Sequence, residues 1–286
     1  MKTDVECIRC FCDNLFHLSS KLEISSEEKI RMSKEVMSMI CASDFSKSPP
    51  LIAAQVNRII CSYCRGFEPF RKEKDLSTRY ARELLDKILP ELEGLDDPFE
   101  AYVRLAIGGN IIDFGVDCKF DLNTAHDKIV HSLTEEVDAD ALALLRRKME
   151  SAGEILYLMD NCGEAVFDTL LVGLFREKIT LAVRGRPILN DITMREVEPS
   201  GLSAARIIDT GDATPGISLT DSSPEFLEAY RRADLIIAKG QGNYETLCDD
   251  SDRPVFFLFR AKCPVITRNL GGVKAGSYQI RSINME

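Results

Sequence analysis

The chain reads as an α/β protein: a Rossmann-like, three-layer domain with a mainly parallel sheet, preceded by an all-helical amino-terminal domain. Three observations predict this. Up to about Ser151 apolar residues return at helical spacing, with few strand-like runs. Beyond Gly153 short apolar runs alternate with amphipathic stretches, the pattern of a parallel sheet with right-handed crossovers and helices on both faces. Each short run ends in polar residues, and in a parallel sheet those carboxyl ends share one edge, where ligands bind. The boundary falls at 152/153: residues 1–152 are helical, as a domain or a cap, and residues 153–286 carry the sheet.

Composition narrows the function. A net charge of −10 over 286 residues, with no Lys/Arg stripe, argues against a nucleic-acid partner. No apolar run approaches the ~20 residues of a membrane span. The start, MKTDVECIRC, has an acid among its first residues and lacks a signal-peptide core. The expectation is a soluble cytoplasmic protein with no membrane partner. Its 10 cysteines are then mostly reduced, as packed thiols or metal ligands rather than a disulfide framework.

In chain order, DVECIRCFCDNLFHLSSKL, SSEEKIRMSKEVMSMICA and PPLIAAQVNRIICSYC each predict a helix. Ser25-Ser26-Glu27-Glu28 is a start signal, with a serine cap and acids in the first turn. STRYARELLDKILPELEG continues the pattern until Pro90 and Gly94 interrupt it. Asp97-Pro98 restarts a helix through PFEAYVRLAIGGN, and DADALALLRRKMESAGE closes this half near Gly153.

Two CxxC pairs stand here, Cys7/Cys10 and Cys61/Cys64. Paired spacing of this kind binds Zn²⁺. Within a helix, however, i and i+3 share a face, which suits packed apolar thiols. Packing is the preferred reading and a structural Zn²⁺ the alternative. GGNIIDFGVD (108–117) reads as a helix C-cap with a polar turn, the alternative being that Asn110 and Asp113 face a site.

In the second half EILYLM, ITLAVRG, ARIIDTG, DLIIAKG and PVFFLFR predict strands. GEAVFDTLLVGLFREK, ITMREVEPSGL, SSPEFLEAYRRA and NYETLCDD predict the helices between them. The strands end, in turn, at Asp160-Asn161, at Arg184-Gly185 leading to Asn190-Asp191, at Asp209 to Asp212, at Lys239 to Asn243, and at Arg260 with Lys262-Cys263 beyond. Asn161-Cys162-Gly163-Glu164 fits a capping box, and Asn190-Asp191 fits a cap on ITMREV. Two Asp/Asn pairs at neighbouring strand ends also supply oxygen ligands for Mg²⁺ or Mn²⁺, and such ligands accept Co²⁺ or Ni²⁺. Metal binding is preferred to capping alone. AKGQGNYETL sets glycines and Lys239 at a strand-to-helix turn, a phosphate cradle although not a P-loop. Arg184 and Lys262 are candidates to add positive charge, with surface snorkelling the equal alternative for Arg184.

Taken together, DNCGE at 160–164, RGRPILNDIT at 184–193 and AKGQGNYETL at 238–247 resemble the metal-dependent damage-control phosphatases, as do GGNIIDFG and AKCPVI. That family was long an uncharacterised domain and is sometimes named for a proposed acidic-residue methyltransferase. The similarity spans the chain in order and is nearest the stand-alone microbial branch with amino-terminal cysteines. The resemblance implies a helical domain on an α/β domain and hydrolysis of phosphate esters of small metabolites, with Mn²⁺, Co²⁺, Ni²⁺ or Mg²⁺. It implies Asp160, Asn161 and Asp191 as metal ligands. Lys239 would contact phosphate, beside Gly240, Gly242 and Asn243. It also moves Asn110 and Asp113 to the cleft. The Arg-Thr-x-Lys signature of the eukaryotic branch is absent, Arg231-Arg232-Ala233-Asp234 standing before the fourth strand instead.

The expected chemistry is phosphomonoester hydrolysis on a small phosphorylated metabolite. Attack by a metal-activated water is favoured over a phospho-aspartate at Asp160, because Asp160-Asn161-Cys162 is not the DxD arrangement of haloacid-dehalogenase-type phosphatases. Glu164 or Asp113 are the candidates for proton transfer. Two rivals stand beside this reading. One is an S-adenosylmethionine-dependent carboxyl methyltransferase. The other is a non-catalytic binding module stabilised by Zn²⁺ on Cys7, Cys10, Cys61 and Cys64.

Overall fold

The computed structural model describes residues 1–66, 68–109, 122–249 and 252–285, with backbone alone at 122–125. The helical part comprises α1 (Cys7–Lys21), α2 (Ser26–Ala42), α3 (Pro49–Tyr63), α4 (Arg71–Glu93), α5 (Phe99–Gly108), α6 (Leu122–Ser132) and α7 (Ala139–Ser151). Then follow β1 (Ile155–Leu158), α8 (Cys162–Leu174), β2 (Ile179–Val183), α9 (Met194–Ser200), β3 (Arg206–Asp209) and α10 (Pro224–Arg232). The chain closes with β4 (Leu235–Lys239), α11 (Gly240–Leu247), β5 (Val255–Arg260), α12 (Pro264–Asn269) and β6 (Tyr278–Ile283).

The strands form one six-stranded sheet in the order β3-β2-β1-β4-β5-β6. All neighbours are parallel except β6, which runs antiparallel to β5. The winding reverses between β1 and β4, the switch point at which open sheets of this kind leave a crevice at their carboxyl edge.

Alternation along the strands divides the sheet between two cores. Ile155, Tyr157, Leu181, Ile237 and Leu258 face one, shared with Val103 and Ala106 of α5, Leu145 and Met149 of α7, and Leu171 of α8. Leu156, Leu158, Ala182, Ile236 and Phe257 face the other, covered by Phe226 and Tyr230 of α10 and by Leu247 of α11. This is a three-layer α/β arrangement. The expected division at 152 does not separate two cores, because α5 and α7 lie before it and pack on the sheet. Helices α1 to α3 close on a core of their own around Leu15, Met32, Val36 and Val56.

Each of the five strands read from the sequence is present. The sixth, β6, is additional, as are α6 and α12. Helix α4 does not stop at Pro90 but runs through it to Gly94. The proline removes one N–H donor, so close to the helix end that the last turn survives. Among the described residues no helix is long and apolar enough to cross a membrane.

Candidate active site

The carboxyl edge is stitched together by backbone bonds between loops. The Ile192 N–H donates to the Asp160 carbonyl at 2.9 Å, and the Cys162 N–H to the Asn190 carbonyl at 3.0 Å. Asn161 and Asp191 therefore stand opposite each other as an antiparallel bridge, and Arg184 pairs with Thr193 beside them. The two Asp/Asn pairs, thirty residues apart in sequence, become neighbours at the ends of β1 and β2.

Neither pair caps a helix through its side chains. Asn161 is the N-cap residue of α8, yet its side chain makes no capping bond. Its Nδ2 donates instead to Asp160 Oδ2 at 2.9 Å. The acid expected to reciprocate, Glu164, accepts from Lys239. At α9 the cap residue is Thr193, whose N–H and hydroxyl both donate to Glu196, at 2.9 and 2.6 Å. The capping explanation for Asn190-Asp191 is thereby removed.

Arg184 organises the pair. It is buried, so the snorkelling alternative does not hold. Its Nε donates to Asp191 Oδ2 at 2.7 Å, Nη1 to the Gly216 carbonyl at 2.7 Å and Nη2 to Asn243 Oδ1 at 3.1 Å. Nη2 also lies 3.9 Å from Asp160 Oδ1. All three guanidinium nitrogens are thus engaged within the protein. Asn243 continues the chain of contacts, its Nδ2 donating to the Lys239 carbonyl at 2.7 Å and the Met159 carbonyl at 3.3 Å. The ends of β1, β2 and β4 are locked to one another.

Lys239 turns inward rather than toward the edge. Its Nζ is fully buried and donates to the Ala106 carbonyl at 2.6 Å, to Asp168 Oδ1 at 2.8 Å and to Glu164. Those three acceptors match the three protons of an ammonium. In this structure the ammonium therefore does not reach the edge where the sequence reading set it against phosphate. Alternation explains the direction: Lys239 shares parity with Leu235 and Ile237, which face the α5 and α8 side. Beneath it the Tyr157 hydroxyl donates to the same Asp168 oxygen at 2.7 Å. Burial works against the charge on Lys239, but Asp168 and Glu164 outweigh it and raise the ammonium to about 12.

Burial also dominates the acids. It pushes Asp160 well above the usual carboxylate range, the nearby charges of Asp191 and Glu164 adding to it and Arg184 opposing it. Asp191 is raised by burial against the pull of Arg184. Asp168 is raised to about 6 by burial, with Lys239 opposing. In these ion pairs, among the described residues, the buried cations Arg184 and Lys239 serve four buried carboxylates, Asp160, Asp191, Glu164 and Asp168.

Glycines shape the opposite wall. Gly240 sits at φ +80°, and a Cβ there would lie 2.0 Å from Asp160 Oδ2. A Cβ on Gly242 would meet the Pro215 carbonyl at 2.1 Å. Only glycine lets the α11 turn close on the acid and on the neighbouring loop. Lys262 is exposed near this edge, and its charge is felt at Asp160.

Asn110 and Asp113 lie outside the described residues. Asp168 and Tyr157 were not anticipated, although Asp168 falls one turn after Glu164 on the same helix face, a legible signal. The two CxxC pairs lie on different helices, Cys7 and Cys10 on α1, Cys61 and Cys64 at the end of α3. Among the described residues no three or more His, Cys, Asp or Glu are grouped so as to hold a metal ion, so the zinc expectation finds no gathered ligand set. The set of Asp160, Asn161 and Asp191 differs in kind, being two carboxylates and an amide.

The damage-control phosphatase ARMT1-like domain matches residues 3–277. The chain is 33% identical over 281 residues to a damage-control phosphatase of Pyrococcus horikoshii, covering 94% of each. It is 31% identical over 292 residues to a damage-control phosphatase of Archaeoglobus fulgidus, covering 95% of this chain and 96% of the other. The crystal structure of a DUF89 family protein from Pyrococcus horikoshii superposes with a TM-score of 0.87 at 31% identity, over 97% of this chain and 98% of that one.

Proposed function

The chain belongs to the damage-control phosphatase ARMT1-like domain family, and on that premise we propose that it hydrolyses phosphate monoesters of small metabolites with a divalent metal. One observation carries this reading: Asp160 and Asp191 are buried side by side at a sheet edge, and neither caps a helix. With Arg184 shared between them, the two buried carboxylates still leave negative charge that a divalent cation would offset.

The residues fit such an ion. Two carboxylates and an amide are hard oxygen donors, as Mg²⁺ or Mn²⁺ prefers and as Co²⁺ or Ni²⁺ tolerates. Gly240 leaves open the space that Asp160 occupies. Asp160, Asn161 and Asp191 would hold the ion, which when bound polarises phosphoryl oxygens and acidifies an attacking water.

The rest of the chemistry belongs to the chain. Arg184 fixes the orientation of Asp191 and, through Asn243, ties it to the ends of β1 and β4, so the acids need no rearrangement when substrate arrives. The first turn of α11, from Gly240, presents N–H groups at the same edge for the equatorial phosphate oxygens. Lys239 supports this turn from below through Glu164 and Asp168. Lys262 adds an exposed cation at the rim. A cavity of about 590 Å³, walled in part by Arg58, Arg186, Leu189 and Asp212, adjoins the Asp191 loop and has the size to receive the remainder of a small ester.

The test is release of phosphate from p-nitrophenyl phosphate after thorough chelation, then with each metal restored. Activity should vanish on stripping and return with metal, but not in Asp191→Asn. Undiminished turnover by the stripped protein would overturn the reading.

A further inference from the structure

The CxxC pair that ends α3 has no chemical role in the phosphatase reading. Cys61 is exposed, whereas Cys64 is buried. The Cys64 N–H donates to the Cys61 carbonyl at 3.1 Å. That i→i+3 bond is of the 3₁₀ kind, in which side chains three apart eclipse one another. The chain then reverses through two left-handed residues, Arg65 at φ +50° and Gly66 at φ +85°, which hold the turn tight. The Cys64 thiol donates to the Ile60 carbonyl at 3.4 Å.

Both cysteines line the 590 Å³ cavity, so a small molecule entering it meets the sulfur of Cys61. The hydrogen bond from Cys64, helped by one from Asn57, outweighs burial and lowers the Cys61 thiol to about 7. The same hydrogen bond, with burial, pushes Cys64 up. An accessible, acidic thiol is thereby backed by a covered, less acidic one. This is the asymmetry of an attacking and a resolving cysteine.

We propose that Cys61 and Cys64 form a dithiol–disulfide exchange site for small organic disulfides. The Cys61 thiolate attacks one sulfur of the disulfide, forming a mixed disulfide and expelling the first thiolate. Cys64, giving up its proton, then attacks the Cys61 sulfur and expels the second. Two protein thiols are oxidised to one disulfide, the small disulfide is reduced to two thiols, and the protons leave with those thiols. None of its atoms belongs to the Asp160–Asp191 centre, although the dithiol opens into the same cavity that would receive the remainder of the ester.

The experiment exposes the full-length protein to glutathione disulfide at pH 7 and follows each cysteine by peptide mass spectrometry. Wild type should form a Cys61–Cys64 disulfide with release of two equivalents of glutathione. Cys64→Ser should stop at a mixed disulfide on Cys61, and Cys61→Ser should leave Cys64 unmodified. Modification at Cys61 should run at least about fivefold faster than at the exposed Cys10, since its larger thiolate fraction is partly offset by lower nucleophilicity. Equal rates at the two sites would overturn the proposal, as would a mixed disulfide on Cys61 that persists in wild type. So would a tightly held zinc ion that keeps the pair unreactive until chelated.

Discussion

Gly240 and Asp160 occupy what would be the same space in any other sequence: a Cβ on the glycine would stand 2.0 Å from the carboxylate oxygen Oδ2. The glycine also adopts φ +80°, a region that costs an L-residue about 1–2 kcal/mol. Gly240→Ala should therefore act twice, straining the turn and displacing the acid. Stability by urea titration should fall by about that amount. The apparent affinity for activating metal should drop about tenfold or more, consistent with a ligand moved off its position. Normal metal affinity with only the stability loss would show that Asp160 is not part of the metal shell.

Arg184→Ala removes the partner of a buried carboxylate. Breaking such a pair costs about 3–5 kcal/mol, because Asp191 is left buried without its cation. The variant should lose that much in chemical denaturation and should regain part of it in the double variant with Asp191→Asn. A loss of the size seen for exposed ion pairs, about 1 kcal/mol or less, would mean that the Asp191 pocket takes up water.

Tyr157→Phe tests the layer beneath Lys239. The hydroxyl donates to Asp168 at 2.7 Å in a fully buried setting. Its removal should destabilise the protein by about 1–3 kcal/mol while the ring keeps its packing. Catalysis should follow stability rather than collapse, since Tyr157 reaches no edge atom. Loss of turnover in a fully folded variant would assign this layer a direct part in the reaction.

Glu245 supplies a pH-dependent test. Burial raises its carboxyl to about 7 from 4.5. The folded state then holds the proton more tightly than the unfolded chain. Its stabilising contribution is complete below about pH 4.5 and is lost as pH rises through about 7. Glu245→Gln cannot ionise, so it should become more stable relative to wild type between pH 5 and pH 8, by roughly 3 kcal/mol at most. Parallel stability curves across that range would show that Glu245 titrates normally.

The fold was legible where periodicity was strong. Runs such as Leu235–Lys239 and Val255–Arg260 are apolar on both faces, as strands covered by two layers must be. Strand β6 was not legible, because Tyr278–Ile283 carries Gln279, Arg281 and Ser282 and so resembles a polar tail. Only pairing with β5 makes it a strand. At the site, residue types and the shared edge could be read from Asp160, Asn161 and Asp191. The directions of Arg184 and Lys239 could not be read from type alone, since both look like anion binders in sequence. Parity decides for Lys239, the last residue of β4, by placing it on the face where Ala106, Glu164 and Asp168 wait.

The bond from Lys239 to the Ala106 carbonyl spans 133 positions of sequence. It belongs to the slow, non-local class of contacts, whose closure must await almost the whole chain. During synthesis the helical segment emerges first and can form locally, but the acids of α8 have no cation until β4 is made and laid against β1. The cation that the acids of α8 face is therefore supplied only once β4 is laid against β1, so assembly of the sheet and completion of this buried cluster are coupled.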